Sequence, residues 1–231
     1  MRVQLEPSYI LHGRPFRETS LLLEVLSNSH GRVGLVARGA RGSRSRWKNL
    51  LQPFRPLLLS WNQKGELGTL TGADQVASPP ALEGEALFCG LYANELTTRF
   101  LQRQDPHPGF FGVYRELVGQ LSAGALSQPL LRNFEARLLK SAGFGLQLEH
   151  EHGTSEEISE SAWYIYEPET GPRRKAYDES RAKELVSGEA LLALKSGIIE
   201  DRHLRELKVL MRKLIRYHLG GKPLNSQALF F

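Results

Sequence analysis

The sequence has a single cysteine, Cys89, and no long apolar segment. One cysteine excludes an internal disulfide framework and a cysteine-rich zinc site. No stretch approaches the ~18 uncharged apolar residues that a membrane-spanning helix needs. The N-terminal residues Met1 to Tyr9 carry Glu6 and Pro7 and lack the apolar core of a secretory signal. We therefore expect a soluble, cytoplasmic protein.

The motifs of common catalytic and nucleotide-binding sites are also missing. The sequence contains no Gly-x-x-x-x-Gly-Lys-Ser/Thr phosphate loop, no Gly-x-Ser-x-Gly nucleophile turn and no His-Glu-x-x-His zinc pair. Cys89 falls on a helical apolar stripe, which favours a buried structural thiol over a nucleophile. His150 and His152 would share one face of a strand, but two further metal ligands at a recognisable spacing are absent. We expect no catalytic residue, no bound metal and no cofactor.

Acidic residues are missing from Gly31 to Gln52, and this segment carries a dense run of positive charge. Glycine and serine keep its backbone pliable between two apolar runs. Because guanidinium groups match phosphate oxygens, the segment is typical of a nucleic-acid-binding loop, and a solvated surface loop is the alternative. The predicted nucleic-acid-binding residues are Arg32, Arg38, Arg41, Arg44, Arg46, Trp47 and Lys48.

The positive charge of the chain belongs to its N-terminal part. Residues 1–78 contain eleven Lys and Arg and five Asp and Glu, a net charge of +6, whereas the remainder has a net charge of −1. A local cationic patch attracts polyanions with an affinity that depends on salt. Charge alone does not distinguish DNA from RNA or from an anionic membrane.

Trp47 lies inside the basic run and has two interpretations. It is either an aromatic platform on which a base stacks, or an anchor that packs the loop against its own domain. The sequence leaves both open.

Short apolar runs separated by glycine and proline predict a small β-barrel over residues 1–78. The runs are Val3 to Leu11, Thr19 to Ser27, Arg32 to Arg38, Pro53 to Trp61 and Leu67 to Thr71. Strands of this length and spacing are typical of an oligonucleotide-binding (OB) fold. The basic segment falls between the third and fourth runs.

Ser78-Pro79-Pro80 marks the predicted boundary with a second domain, residues 79–231, in which apolar residues recur at helical spacing. An acidic segment with a strand-like Trp163 to Tyr166 run predicts a small β insertion at about residues 147–178. The fold class is therefore α+β, an OB barrel followed by a helical bundle with a β insertion. The predicted helices are Leu82 to Gln104, Phe110 to Leu121, one opening at Gln128, Ala182 to Ser187, Glu189 to Ser196 and Asp201 to Leu219.

Several short motifs occur in order along nearly the whole chain. They are Leu11-His-Gly-Arg-Pro-Phe-Arg-Glu-Thr-Ser-Leu-Leu-Leu23, Gly31-Arg-Val33, Ala37-Arg-Gly-Ala-Arg41, Leu51-Gln-Pro-Phe54, Gly90-Leu-Tyr-Ala-Asn-Glu-Leu96 and Gly220-Gly-Lys-Pro-Leu-Asn-Ser226 with Leu229-Phe230. Together they resemble the RecO family of bacterial recombination mediators.

The resemblance implies an OB fold, a helical domain and, in some members, a cysteine zinc site in the insertion. Because no cysteine lies between Leu146 and Tyr177, we expect no zinc here. It also implies a non-catalytic, nucleoid-associated role in DNA repair. That role comprises binding single- and double-stranded DNA, annealing complementary strands, contacting single-stranded-DNA-binding protein and RecR, and helping RecA load onto coated strands.

The resemblance further implies docking of the acidic, phenylalanine-ended tail of single-stranded-DNA-binding protein on the helical domain. Such a peptide needs an apolar pocket for its ring and cations for its carboxylates. We expect Arg132 to lie on an accessible helix face, where its replacement spares folding. The alternatives are a plain core with a solvated cationic face, or a site on the last helix, whose outer face carries Arg205, Lys208, Arg212 and Arg216. The predicted partner-binding residues are Tyr92, Leu96, Arg99, Leu131, Arg132 and Lys140.

Two other functions are compatible with the residues. An OB barrel with a basic loop also suits an RNA-binding or translation-associated protein, which the 2′-hydroxyl of RNA would distinguish. The acidic residues between Glu149 and Glu160 suggest a metal-dependent nuclease if they fold together around a divalent cation.

Overall fold

Five strands close into a barrel in the computed structural model, which describes residues 1–47, 49–77, 81–125, 127–154, 156–176 and 184–226. Around the barrel the strands follow the order β1-β2-β3-β5-β4, and β4 pairs back with β1. Only the β3–β5 pair among them is parallel. This connectivity confirms the predicted OB fold. The strands are β1 (Arg2–Phe16), β2 (Ser20–Ser27), β3 (Gly31–Ala37), β4 (Leu57–Lys64) and β5 (Leu67–Gln75).

Alternating apolar residues fill the barrel, as the period of a strand requires. In β3, Val33, Leu35 and Ala37 point inward and join the core. Trp61 is fully buried at its centre. A Cβ atom at Gly68 would lie 2.9 Å from Cδ1 of Trp61 and 2.7 Å from Cδ2 of Leu35, so only glycine lets β5 pass this ring.

The chain divides into two compact units, and the first contains more than the barrel. It comprises Met1–Ala125 and takes in Asn225 and Ser226 near the chain end. Its helices are α1 (Gly84–Phe100) and α2 (Phe110–Ser122). The predicted boundary at Ser78-Pro79-Pro80 lies outside the described residues, and the division into residues 1–78 and 79–231 stays a prediction.

A buried polar cluster fixes both helices to the outer side of β1. The Asn94 side chain of α1 donates to the carbonyl oxygen of Leu11 (2.8 Å), and the hydroxyl of Tyr114 in α2 donates to Oδ1 of Asn94 (2.6 Å). Burial raises the pKa of Tyr114, so the phenol stays protonated and remains a donor. The ring of Tyr9 packs against Tyr114, with ring centroids 5.1 Å apart.

The described end of the chain is held to α1 by one carboxylate. Glu95 accepts hydrogen bonds from the backbone N–H groups of Asn225 (2.9 Å) and Ser226 (2.8 Å), and it pairs with Arg99 (2.9 Å). Burial acts to raise the pKa of Glu95, but the hydrogen bonds from Ser226, Asn225 and Arg99 outweigh burial and hold it below its usual range.

The second unit, Leu126–Leu224, combines three helices with a small sheet. The sheet has the order β7-β6-β8, and both of its pairings are antiparallel. The buried faces of α3 and α5 provide most of its helical core, including Phe134, Leu138, Leu207, Met211 and Leu214. The elements are α3 (Ser127–Ser141), β6 (Trp163–Glu167), β7 (Gly171–Arg174), β8 (Leu185–Ser187), α4 (Gly188–Ser196) and α5 (Asp201–His218).

Several predicted boundaries are wrong. The fourth and fifth strands run over Leu57–Lys64 and Leu67–Gln75 instead of Pro53 to Trp61 and Leu67 to Thr71. The first strand does not stop at Leu11, because a bulge between Ile10 and His12 lets it continue to Phe16. The helix predicted to end at Gln104 ends at Phe100, since the residues that follow run beside β3. In place of a helix over Ala182 to Ser187, the described residues Leu185–Ser187 form strand β8. They pair with β6, and the Ser187 hydroxyl then caps α4 by accepting from the N–H of Ala190 (3.1 Å).

Candidate nucleic-acid interface

The basic segment folds back over one end of the barrel. It connects the end of β3 at Ala37 with the start of β4 at Leu57. Ala40, Trp47, Leu50 and Leu51 join the barrel core. The segment is therefore a packed cover for the barrel, and its polar residues project from a fixed base.

Trp47 is the residue that holds this cover in place. Its side chain is only 6% exposed, and its indole N–H donates to the carbonyl oxygen of Arg38 (3.3 Å). A ring buried in this way offers no free face to a base. Of the two interpretations of Trp47, the structure supports the anchor.

Two of the arginines brace the loop through backbone carbonyl oxygens. The guanidinium of Arg46 lies 4.1 Å from the centroid of the Trp47 ring and donates to the carbonyl oxygen of Thr71 (3.1 Å). Arg41 reaches the turn between β1 and β2, where it donates to the carbonyl oxygens of Arg17 (3.5 Å) and Glu18 (3.3 Å). Carbonyl groups orient a guanidinium without cancelling its charge.

Arg38 and Arg44 are exposed, and neither side chain forms a hydrogen bond or an ion pair within the part of the chain that the structure describes. With Arg41 and Arg46 they make up what we call the arginine loop: Arg38, Arg41, Arg44 and Arg46. None of the four pairs with a carboxylate among the described residues. Lys48, predicted to belong to the same site, lies outside those residues. Such a group of forked donors can bind several phosphate oxygens at once.

Arg32 does not belong to this group. It lies in β3, where its Nη1 pairs with Oε2 of Glu24 (2.6 Å) and its Nε donates to the carbonyl oxygen of Leu101 (2.8 Å). These partners satisfy the guanidinium inside the first unit. The structure therefore does not bring Arg32 together with the other predicted residues.

The residues that follow α1 cover part of the outer face of strands β2 and β3. The N–H of Gln104 donates to the carbonyl oxygen of Arg32 (2.7 Å), and Arg103 pairs with Glu24. A Cβ atom at Gly34 would lie 3.1 Å from Cζ of Arg103. OB folds commonly bind oligonucleotides on this strand face. In this barrel the arginine loop is the more accessible basic surface.

The chain matches two family models in succession. Residues 1–79 match the model described as Recombination protein O N terminal, and residues 81–228 match Recombination protein O C terminal. Curated relatives named DNA repair protein RecO align along almost the whole chain. That of Nitrosococcus oceani is 46% identical over 99% of this chain and 93% of its own length. Those of Methylococcus capsulatus and Azoarcus sp. are 44% and 40% identical.

The chain belongs to the RecO family.

Most of the partner-binding residues predicted from the RecO resemblance are buried. Tyr92 and Leu96 lie in the core of the first unit, and Leu131 lies in the core of the second. Arg99 is engaged by Glu95, which leaves Lys140 as the one exposed side chain of the set. The six residues thus form no continuous accessible surface within either unit.

Arg132 was expected on an accessible face, and this expectation is wrong. Its side chain is 6% exposed and pairs with Glu135 (2.8 Å), whose side chain is fully buried. Removing one partner of a buried pair leaves an uncompensated charge and is typically destabilising by about 3–5 kcal/mol. A change at Arg132 would therefore test folding rather than binding.

The second unit of this RecO chain contains a groove that the sequence did not predict. It has a volume of about 380 Å³ and collects cations and apolar side chains from three separate segments. Lys140 is exposed and forms no ion pair within the described residues. Lys195 pairs with Glu149 (3.5 Å). No pattern in the sequence brings these segments together. The cations are Arg137, Lys140 and Lys195, and the apolar residues include Leu146, Leu148 and Leu194.

The acidic insertion is organised by an ion pair. The Glu151 carboxylate is buried and accepts hydrogen bonds from the hydroxyl of Tyr164 (2.9 Å) and from Nη2 of Arg174 (2.6 Å). His150 and His152 on either side of it are exposed. Among the described residues, no group of three or more His, Cys, Asp or Glu side chains is placed to hold a metal ion. The structure thus gives no support to the nuclease alternative.

A helix needs about 20 consecutive, mostly apolar residues to cross a bilayer. Within the described ranges, no helix of the chain is both long and apolar enough to cross a membrane.

The anchoring role of Trp47 in this RecO protein predicts a large effect on stability. Trp47→Ala should lower the free energy of unfolding by about 3–5 kcal/mol, because it leaves a cavity in the barrel end. The measurement is urea unfolding of the full chain followed by circular dichroism.

Trp163→Ala is the matched control, since Trp163 is 47% exposed and its loss should change stability by only about 0.5 kcal/mol. Equal stability of the two variants would show that Trp47 does not anchor the loop.

Proposed function

We propose that this chain is a non-catalytic DNA-binding protein that acts in DNA repair as a recombination mediator. The observation that carries the proposal is the arginine loop, which presents four guanidinium groups without carboxylate partners among the described residues on an OB barrel. Membership of the RecO family supports it, because the relatives are named as DNA repair proteins.

The proposed binding mode depends on phosphates rather than on bases. Guanidinium groups on a packed loop bind the phosphates of either single- or double-stranded DNA. Such contacts do not depend on the base sequence. With Trp47 buried, the loop itself provides no exposed aromatic platform for bases. Base edges of a bound strand therefore stay available for pairing, which suits a protein that anneals complementary strands.

In this proposal the chain acts together with other proteins. It contacts single-stranded-DNA-binding protein and RecR, and it helps RecA to load onto coated strands. These partners follow from the family resemblance. DNA and RNA strands of the same length should compete for the loop, so a preference for RNA would favour a translation-associated function instead.

Arg38→Gln combined with Arg44→Gln tests the arginine loop. Both side chains are exposed, and neither braces the loop through a described contact, so folding should be unaffected. Each lost single-strand phosphate contact lowers the slope of log affinity against log salt by roughly 0.7. We expect the slope for an oligo(dT) strand to fall by about 1.4 in the double variant.

Arg2→Gln combined with Arg115→Gln provides the control. These two arginines are also exposed, belong to the first unit and carry the same charge, but lie outside the loop. Their replacement should leave the slope nearly unchanged. If both double variants lower the slope equally, binding reflects net charge and the loop is not the site.

We also propose a location for the acidic tail of single-stranded-DNA-binding protein. The groove lined by Arg137, Lys140 and Lys195 combines cations for carboxylates with leucine side chains for a terminal ring. Its volume of about 380 Å³ is within the range of small ligand sites. This location replaces the buried set that the sequence suggested.

Lys140→Gln tests the groove. Loss of a charge-assisted contact should weaken binding of an acidic, phenylalanine-ended peptide by about 1.5–3 kcal/mol. The measurement is isothermal titration of the full chain with the peptide. Lys208→Gln is the control, because Lys208 is an exposed lysine on a helix of the same unit. A loss of affinity in Lys208→Gln and not in Lys140→Gln would move the site to α5.

A further inference from the structure

Four cations form a single stripe along α5 that the proposed function leaves without a role. Arg205, Lys208, Arg212 and Arg216 are all exposed, at spacings of three, four and four residues. Those spacings place side chains on one face of a helix. We call these four residues the α5 stripe.

Other cations of the same helix have acidic partners. Arg202 pairs with Glu189 (2.8 Å) and Glu200 (3.2 Å), and Lys213 pairs with Glu167 and Glu184 (both 3.4 Å). The α5 stripe contrasts with them, since none of its members forms an ion pair among the described residues. Glu206 lies between Arg205 and Lys208 in the sequence, but its carboxylate accepts a hydrogen bond from the N–H of Ser187 (2.8 Å). Asp201 lies one turn before Arg205. Acidic partners are thus available to α5, yet the stripe is left without them.

Neither the helix dipole nor overall charge accounts for this arrangement. The dipole favours cations only in the last turn, which holds Arg216, and it does not act on Arg205, Lys208 or Arg212 further along the helix. Residues 126–224 contain sixteen Lys and Arg and fifteen Asp and Glu, so the unit is almost neutral. In this nearly neutral unit, four of the cations share one helix face without acidic partners among the described residues.

The geometry of the stripe suits a regular polyanion. With a rise of 1.5 Å per residue, eleven residues of helix extend about 16 Å. Along one strand of a DNA duplex, phosphates follow each other every ~3.4 Å of axis, so the stripe is long enough for about five of them. Val209 and Tyr217 are exposed apolar side chains of the same helix, and the cavity that Val209 lines has a volume of only about 10 Å³, too small to be a pocket for an anchoring ring. A nucleic-acid backbone needs only the cations, whereas an acidic peptide needs that pocket as well.

We propose that the α5 stripe is a second nucleic-acid site, which holds the backbone of one strand while the arginine loop holds another. The inference rests on the proposed DNA-binding function and deepens it, since two strands held on one chain can meet and pair. The two sites belong to different compact units of the same chain.

Arg205→Gln combined with Arg212→Gln in the full chain tests this inference. Glutamine keeps a helix propensity close to that of arginine, so α5 should stay folded. At low salt, the wild type should bind two short oligo(dT) strands per chain, and the stripe variant should bind the second strand much more weakly. The salt slope of the second binding step should fall by about 1.4, because two contacts are lost.

Arg173→Gln combined with Arg202→Gln is the control with the same change in charge in the same unit, and it should still bind two strands. Two strands bound to the stripe variant, with an unchanged salt slope, would overturn the inference. A stripe variant that binds both strands as the wild type does but loses an acidic peptide would also overturn it and make α5 a protein-docking surface.

The proposed function can fail separately from this inference. If the wild type binds no strand at all, DNA binding itself is wrong, and the inference falls with it. If the Arg38→Gln/Arg44→Gln variant binds as the wild type does while the stripe variant binds the second strand much more weakly, the loop site fails and the α5 site stands.

Discussion

Burial of the Trp47 ring in the end of the barrel is the interaction on which the proposed site depends. Four like charges close together repel one another and favour an extended, solvated loop. The ring opposes this by fixing the middle of the loop to the core, and the carbonyl oxygens of Arg17, Glu18 and Thr71 orient two of the guanidinium groups. The loop therefore loses part of its conformational entropy when the protein folds, and less is left to lose when a ligand binds.

A second constraint leaves this loop as the accessible basic surface of the barrel. The residues after α1 lie along β3, and Arg103 and Arg32 share the carboxylate of Glu24. Both cations on the strand face are thus paired with a carboxylate, and the chain that follows α1 covers part of that face. The barrel keeps the connectivity of an OB fold but presents its unpaired positive charge at the β3–β4 connection, where phosphates can reach it.

Much of the fold could be predicted from the sequence because the signals were local. Alternation in Arg32 to Arg38 predicted β3, and the helical spacing from Asp201 predicted α5. The absence of acids from Gly31 to Gln52 indicated the arginine loop. The extended course of Leu101 to Gln104 depends on pairing with β3, about seventy residues earlier in the chain, and the residues themselves give no sign of it.

The site was predicted less completely than the fold, for the same reason. Arg32 looks like its neighbours in the sequence, but Glu24 and Arg103 become its surroundings only on folding. Arg132 has the spacing of a surface residue, yet its partner Glu135 is fully buried, so the pair belongs to the core. The groove beside Lys140 is assembled from three segments, and the sequence has no periodicity that connects them.

The central claim is that the arginine loop contacts the phosphate backbone, and footprinting of arginine side chains tests it most directly. The full chain would be treated with phenylglyoxal, with and without saturating oligo(dT), and modification at each arginine read by mass spectrometry. Our account predicts that Arg38 and Arg44, both exposed, become protected by the strand, while Arg2 and Arg115 react equally in both samples. Unchanged reactivity of Arg38 and Arg44 under saturating DNA would contradict it.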